Sequence, residues 1–354
     1  YNHPDLRAQL EAEHAAPLWR GTFDTETMLA AFAAWGVRAS LSRFNGMFAF
    51  ALWDRRERTL TLARDRMGEK PLYYGFSGDT FLFGSELKAL RAHPAFSPRM
   101  DAQSIALFLR YSYIPTPFSI YGGIFKLPPA SFVTLTPADW AAGRLPEAQK
   151  YWDLQAVAER GVAHPFPGTF HEAADELERL LRDAVRIRML SDVPLGVFFS
   201  GGIDSTLVAA LMQAQSPQPV RTFTVGFHDA GYDESPFARA IAAHLGTEHT
   251  ELKATAEEAA GVIPQLSRMY DEPFADSSQV PTHLLSRLTR HHVTVALSGD
   301  GGDELFGGYN RYVFAPLWWK TVSRVPYKLR RRLSRLGIAR EEDLRRLLDL
   351  ARRM

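Results

Sequence analysis

The 354-residue sequence contains no cysteine, which removes disulfides, thiolate metal sites and a cysteine nucleophile from the residues at hand. No apolar run approaches the length of about 20 residues that a membrane-spanning helix needs. The opening residues, Tyr1-Asn2-His3-Pro4-Asp5, form neither a signal peptide nor an initiator methionine, so a chain cut at its N-terminus is expected. An excess of one charge is missing too: 41 basic residues against 40 acidic ones leave a net charge of +1. Nothing global therefore pulls the protein toward nucleic acid or a membrane surface. A Walker A loop is absent, because Gly68-Glu69-Lys70 lacks the remaining spacing. Internal repeats and low-complexity tracts are also lacking. What remains is 46% hydrophobic and 12% aromatic, a composition that excludes a largely disordered chain and is long enough for two cores.

Residues 1 to about 152 carry short alternating segments: Ala49 to Trp53, Leu60 to Ala63, Leu72 to Gly75, Phe81 to Phe83 and Ser131 to Leu135. Turn signals at Asp54-Arg55-Arg56-Glu57, Ser77-Gly78-Asp79 and Pro128-Pro129 suit hairpins, and Asp24 to Trp35 and Asp101 to Tyr111 carry helical spacing. A linker is expected at 156–170, between domains at 1–155 and 171–354. Ala174, Leu177, Leu181, Ala184 and Val185 then predict one apolar face of a helix. Beyond it, apolar strands at Val193 to Phe199, Arg221 to Phe227 and Val293 to Leu297 alternate with helical patterns at Thr206 to Gln213, Ser235 to Leu245, Ala256 to Met269 and Val280 to His291. That alternation predicts a parallel sheet whose ligands gather at the carboxyl ends of its strands.

Two such ends are rich in glycine and polar residues. Ser200-Gly201-Gly202-Ile203-Asp204-Ser205 follows a strand and opens a helix. Glycines let backbone N–H groups approach an oxyanion, serines add donors, and the helix N-terminus favours negative charge. Asp204 in that position makes electrostatic sense if Mg²⁺ bridges carboxylate and phosphate. An ordinary strand-to-helix turn is the plain alternative. Ser298-Gly299-Asp300-Gly301-Gly302-Asp303-Glu304 places three carboxylates within five residues, which repel unless a metal or cationic ligand compensates them. Between these loops lies Tyr270-Asp271-Glu272-Pro273, with Asp271 as a metal candidate and a helix cap at Asp276 to Ser278 as the alternative. Val225, near the end of Arg221-Thr222-Phe223-Thr224-Val225-Gly226-Phe227, is a candidate to touch a base, or simply a core residue. Lys328 to Arg332 and Arg352-Arg353, after Trp318-Trp319, read as a solvated amphipathic helix, and His291-His292 as charge partners of a helix C-terminus.

Taken in order, these second-half segments resemble the synthetase domain of glutamine-hydrolysing asparagine synthetases. Gly21 to Glu26, Asn45 to Ala51, Ala63 to Arg66, Lys70 to Tyr74, Ser85 to Leu90 and Lys126 to Pro129 are similar to the same family's glutaminase domain. The resemblance implies a partial Ntn-hydrolase αββα glutaminase domain, then an adenine-nucleotide α-hydrolase (ATP pyrophosphatase) domain with a parallel sheet. It implies a cytoplasmic ligase using ATP and Mg²⁺ on L-aspartate, with L-glutamine or ammonia supplying nitrogen, through a β-aspartyl-AMP intermediate. Neither nucleic acid nor membrane is a partner in this reading, and it allows a homodimer.

By the same resemblance, Ser200, Gly201, Gly202, Asp204 and Ser205 hold pyrophosphate, and Phe199, Val225, Ser298 and Gly299 line the nucleotide site. Asp204 and Asp303, helped by Asp271, hold the metal. Asp300 stands where such enzymes often carry glutamate and is the catalytic candidate. Asp24 is the glutamine-binding candidate, preceded by Phe23 where serine is usual. Tyr1-Asn2-His3 looks like the end of the family segment Gly-Glu-Ile-Tyr-Asn-His, which places the nucleophile upstream. A catalytic lysine and an Arg-x-Pro-Phe-Leu-Asp segment would follow Met354. Residues 1–354 alone should not hydrolyse glutamine. Two other readings remain open: a ligase of the same fold that adenylates another carboxylate, such as a β-lactam-forming or a sugar- or peptide-modifying enzyme, and a noncatalytic nucleotide-binding protein.

Overall fold

The computed structural model describes residues 2–97, 99–227 and 233–335. Arg352 and Arg353 of the predicted basic stretch lie outside them. Seven strands form two antiparallel sheets in the first half: β1 Ala49–Asp54, β2 Thr59–Arg64, β3 Tyr73–Ser77, β4 Thr80–Gly84, β5 Ile124–Lys126, β6 Ser131–Leu135 and β7 Gln149–Lys150. One sheet has the order β1-β2-β6-β7 and the other β4-β3-β5.

Period-two alternation decides what each face does. Along β2, Leu60 and Leu62 point into a core shared with Tyr74 and Phe81 of the second sheet. Ala63 faces the other way and packs with Leu6, Ala31, Leu41 and Phe44, which helices His3–Ala12, Asp24–Trp35 and Val37–Arg43 and the residue after them supply. On the far side, Leu82 and Ile124 pack against Leu87 and Leu90 of helix Leu87–Arg91 and against Ile114 and Ile120. The layers therefore run helix, sheet, sheet, helix, the αββα order that the resemblance implies. The hairpin strands match the alternating segments in the sequence. The short strands β5 and β7 and most helices outside 24–35 and 102–111 do not announce themselves.

Helix Leu154–Ala163, capped by the Asp153 carboxylate, occupies most of the segment between the halves, and Phe170–Arg188 opens on a capping box of Thr169 and Glu172. In that second helix only the last turns pack inward: Val185 and Ile187 are buried, whereas Leu177 is 40% exposed. Four parallel strands follow: β8 Leu195–Phe198, β9 Arg221–Phe227, β10 Glu248–Ala254 and β11 Val295–Leu297, in the order β10-β9-β8-β11. β10, Glu-His-Thr-Glu-Leu-Lys-Ala, is an edge strand with polar alternation and escapes a search for apolar runs. Val197, Phe199, Ala209 and Met212 join Ala238 and Ala242 of helix Ser235–Leu245 in the core. No helix among the described residues is long and apolar enough to cross a membrane.

Candidate active site

β8 and β11 are hydrogen-bonded neighbours running in the same direction, so the loops that leave their carboxyl ends meet. They meet closely. A Cβ at Gly299 would fall 2.7 Å from the Ser205 amide nitrogen, and one at Gly302 would fall 2.5 Å from the Asp204 carboxylate carbon. Only glycine permits that approach at either place. Helix Ile203–Gln213 starts at Gly202, which offers no side-chain cap, so its first amides stay open. Serines shape the turn: Ser200 and Ser205 hydroxyls lie 3.0 Å apart, the Ser200 amide donates to Ser205 Oγ at 3.3 Å, and Gly202 donates to Ser200 Oγ at 3.2 Å.

The carboxylates differ in what holds them. Asp204, in the first turn of its helix, has no hydrogen-bond or ion-pair partner among the described residues and rests against Gly302. Asp303, in the first turn of helix Gly302–Phe306, lies against Gly308. Asp300 accepts from the Ser298 hydroxyl at 3.0 Å, and Glu304 accepts from Tyr309 at 2.9 Å. No group of three or more His, Asp or Glu residues able to hold a metal occurs among the described residues. Two carboxylates without protein cations, beside open helix amides, still suit a divalent ion whose remaining ligands are phosphate oxygens and water.

Three predicted residues are engaged by other parts of the protein. Phe199 is 1% exposed, its ring in the core, its amide donating to the Phe223 carbonyl at 2.8 Å and its carbonyl accepting from the Thr224 hydroxyl. Val225 packs beside Ala254, Val262 and Leu284. Asp271 faces the first half: its carboxylate pairs with Lys88 Nζ at 3.2 Å and accepts the Lys88 amide at 3.2 Å. The adjacent Glu272 goes deeper, pairing with Lys126 Nζ at 2.5 Å and accepting the Ile120 amide at 2.7 Å. Burial first, then the charges of Glu272 and Asp271, push the Tyr73 phenol above its ordinary range. Sequence reasoning left Glu272 and Lys126 without a role, although Lys126 stands in one of the quoted family segments.

Asp24 opens helix Asp24–Trp35 and lines a cavity of about 50 Å³ with Asn2, His3, Thr27, Asn45 and Met47. Asn2 builds one wall: its side chain donates to the Arg43 carbonyl at 3.0 Å and accepts the Asn45 amide at 2.9 Å. Arg7 braces the chain beside it, donating to Thr27 Oγ1 and to the carbonyls of Gly21 and Phe23.

The family model described as asparagine synthase matches residues 176–353, and one described as a glutamine amidotransferase domain matches residues 1–152. Asparagine synthetase [glutamine-hydrolyzing] 1 of Bacillus subtilis is 32% identical over 98% of this chain and 52% of its own length. A Methanocaldococcus jannaschii protein, provisionally named asparagine synthetase [glutamine-hydrolyzing] 2, is 34% identical over 87% of this chain and 57% of its own. A Mycobacterium tuberculosis protein, provisionally named asparagine synthetase [glutamine-hydrolyzing], is 35% identical over 98% of this chain and 52% of its own. The chain thus spans little more than half the length of these relatives.

Proposed function

This chain belongs to the asparagine synthase family, and from that premise we propose that it acts in ATP-dependent synthesis of L-asparagine from L-aspartate, with glutamine as nitrogen donor. The observation that carries the reading is the contact of the two glycine loops around Asp204. A carboxylate attacking the α-phosphorus of ATP breaks the α–β phosphoanhydride bond, and the departing pyrophosphate carries the electron pair away. The turn Ser200 to Ser205 offers open amides and hydroxyls to that anion, where the helix N-terminus strengthens them. Asp204 and Asp303 would hold Mg²⁺, which screens the two negative reactants. Asp271, held by Lys88, is left out of that set. Ammonia then attacks the β-acyl carbon of aspartyl-AMP, AMP leaves, and the attacking nitrogen gives up a proton. Asp300, beside Ser298, is the group proposed to receive it. Asp24, in the cavity bordered by Asn2, is proposed to hold the glutamine α-amino group.

The first test is product analysis with aspartate, ammonia and ATP. AMP and pyrophosphate support the reading, ADP and phosphate end it, and turnover with another carboxylate but not aspartate transfers it to a different acceptor. Asp204→Asn should weaken Mg²⁺-dependent ATP binding at least about tenfold. Binding that is unchanged takes Asp204 out of the site.

A further inference from the structure

The Asp271-Glu272 pair lies in the synthase half, yet among the described residues every polar partner of its carboxylates belongs to the amidotransferase half. Glu272 Oε2 meets Lys126 Nζ at 2.5 Å, with side-chain exposures of 11% and 16%. Lys126 also donates to the Ile114 carbonyl at 2.7 Å. Tyr73, directly opposite Lys126 in the β3–β5 pairing, brings its hydroxyl to 3.5 Å from Glu272. The Ile120 amide occupies the other carboxylate oxygen. Around this centre, Lys88 grips Asp271 and donates to the Met269 carbonyl, and the Ala275 amide donates to the Ser112 carbonyl at 2.8 Å.

The position of this grip in the second half gives it meaning. Helix Gln279–Thr289 ends where Arg221, the first residue of β9, donates to the His292 carbonyl at 3.1 Å. That places its C-terminus at the starting edge of the sheet. A crossover helix runs antiparallel to its strands, and eleven residues span about 16 Å. Its N-terminus and the preceding 270–278 segment therefore lie toward the carboxyl edge, where the Asp204 and Asp300 loops stand. The amidotransferase half holds the segment on that edge by a charge pair largely out of water, where removing one partner leaves the other uncompensated.

We propose that Glu272 and Lys126 are positioning residues: their ion pair latches the 270–278 segment to the β3–β5 sheet and so sets the spacing between the glutamine and nucleotide sites. This rests on the two-site reading proposed above. Charge is what the latch requires, so Glu272→Gln, which keeps an oxygen for Ile120, should release it, and Lys126→Arg should preserve it.

Two measurements test the latch. In amide hydrogen exchange on this chain, Glu272→Gln should lower protection at Ile120 and Ala275 by about tenfold while β8 and β9 keep theirs. In the glutamine-dependent reaction of the full enzyme, glutamate released per AMP should rise about threefold or more, with ammonia-dependent AMP release little changed. Lys126→Arg should match the wild type in both. Unchanged protection in Glu272→Gln overturns the latch, as does an unchanged glutamate-to-AMP ratio. A shifted Mg²⁺ requirement with protection intact would place Glu272 at the metal instead. If the wild-type enzyme makes no AMP from aspartate, the proposed function fails, and the exchange measurement alone decides the latch.

Discussion

Arg64 and Asp65 of the amidotransferase half are tied into the fold, whereas Asp204 and Asp303 of the synthase half are left open. Arg64 donates to the carbonyls of Lys70, Leu127 and Gly68 at 2.7, 2.8 and 2.6 Å, joining the 64–70 segment to Leu127. Burial pushes its guanidinium below the ordinary arginine range. Asp65, with no exposed surface, accepts the amides of Phe48, Glu69 and Lys70. Asp204 and Asp303 have glycines beside them and no protein cation among the described residues. A charged motif whose partners are main-chain groups is architecture. A charged motif without partners, beside glycines and an open helix end, has the chemistry that suits a ligand.

That contrast can be broken by mutation. Asp65→Ala should have the largest effect, because it strands three amide donors and should destabilise the protein by about 3 kcal/mol or more. Urea unfolding measures it, and a loss below about 1 kcal/mol would deny Asp65 its architectural role. Gly302→Ala should do the opposite: the new Cβ forces the Asp204 carboxylate aside, so ATP binding should fall about tenfold while the unfolding midpoint stays within the range of ordinary surface substitutions. An equal loss of stability would make the two halves alike.

The smallest effect concerns acid. His249 sits behind the site, its Nδ1 3.0 Å from the Thr222 hydroxyl and its ring against Phe199. Burial lowers its pKa from 6.5. The unfolded chain then binds a proton more readily than the folded one. This contribution is full above pH 6.5 and is lost as pH falls through 6.5 toward the folded value. Melting temperatures below and above pH 6.5 should show the decline, and His249→Gln should flatten it. A slope that survives the substitution assigns the acid sensitivity to other groups.

Much of this arrangement was legible in the sequence. The bounds of Arg221–Phe227, Ser235–Leu245 and Ala256–Met269 coincide with their elements, because apolar period and flanking turn residues act locally. The meeting of the two glycine loops also followed, since strand ends of a parallel sheet share one edge. β10 was hidden because an edge strand does not need an apolar run. Asp271 is a different case. Beside a glycine-rich site, an acid reads as a ligand, and only the approach of Lys88, 183 residues away in the chain, shows its charge already compensated.

Sequence alone determined the two architectures, the glycine turn between strand and helix at Ser200 to Ser205 and the absence of a thiol, all consequences of residue type and short-range spacing. Tertiary structure decided which charges remain for a ligand. Asp204 and Asp271 are the same residue type, each close to glycine or proline. What separates them is whether folding carries a lysine to the carboxylate, and compensation of charge depends on distance in space rather than along the chain.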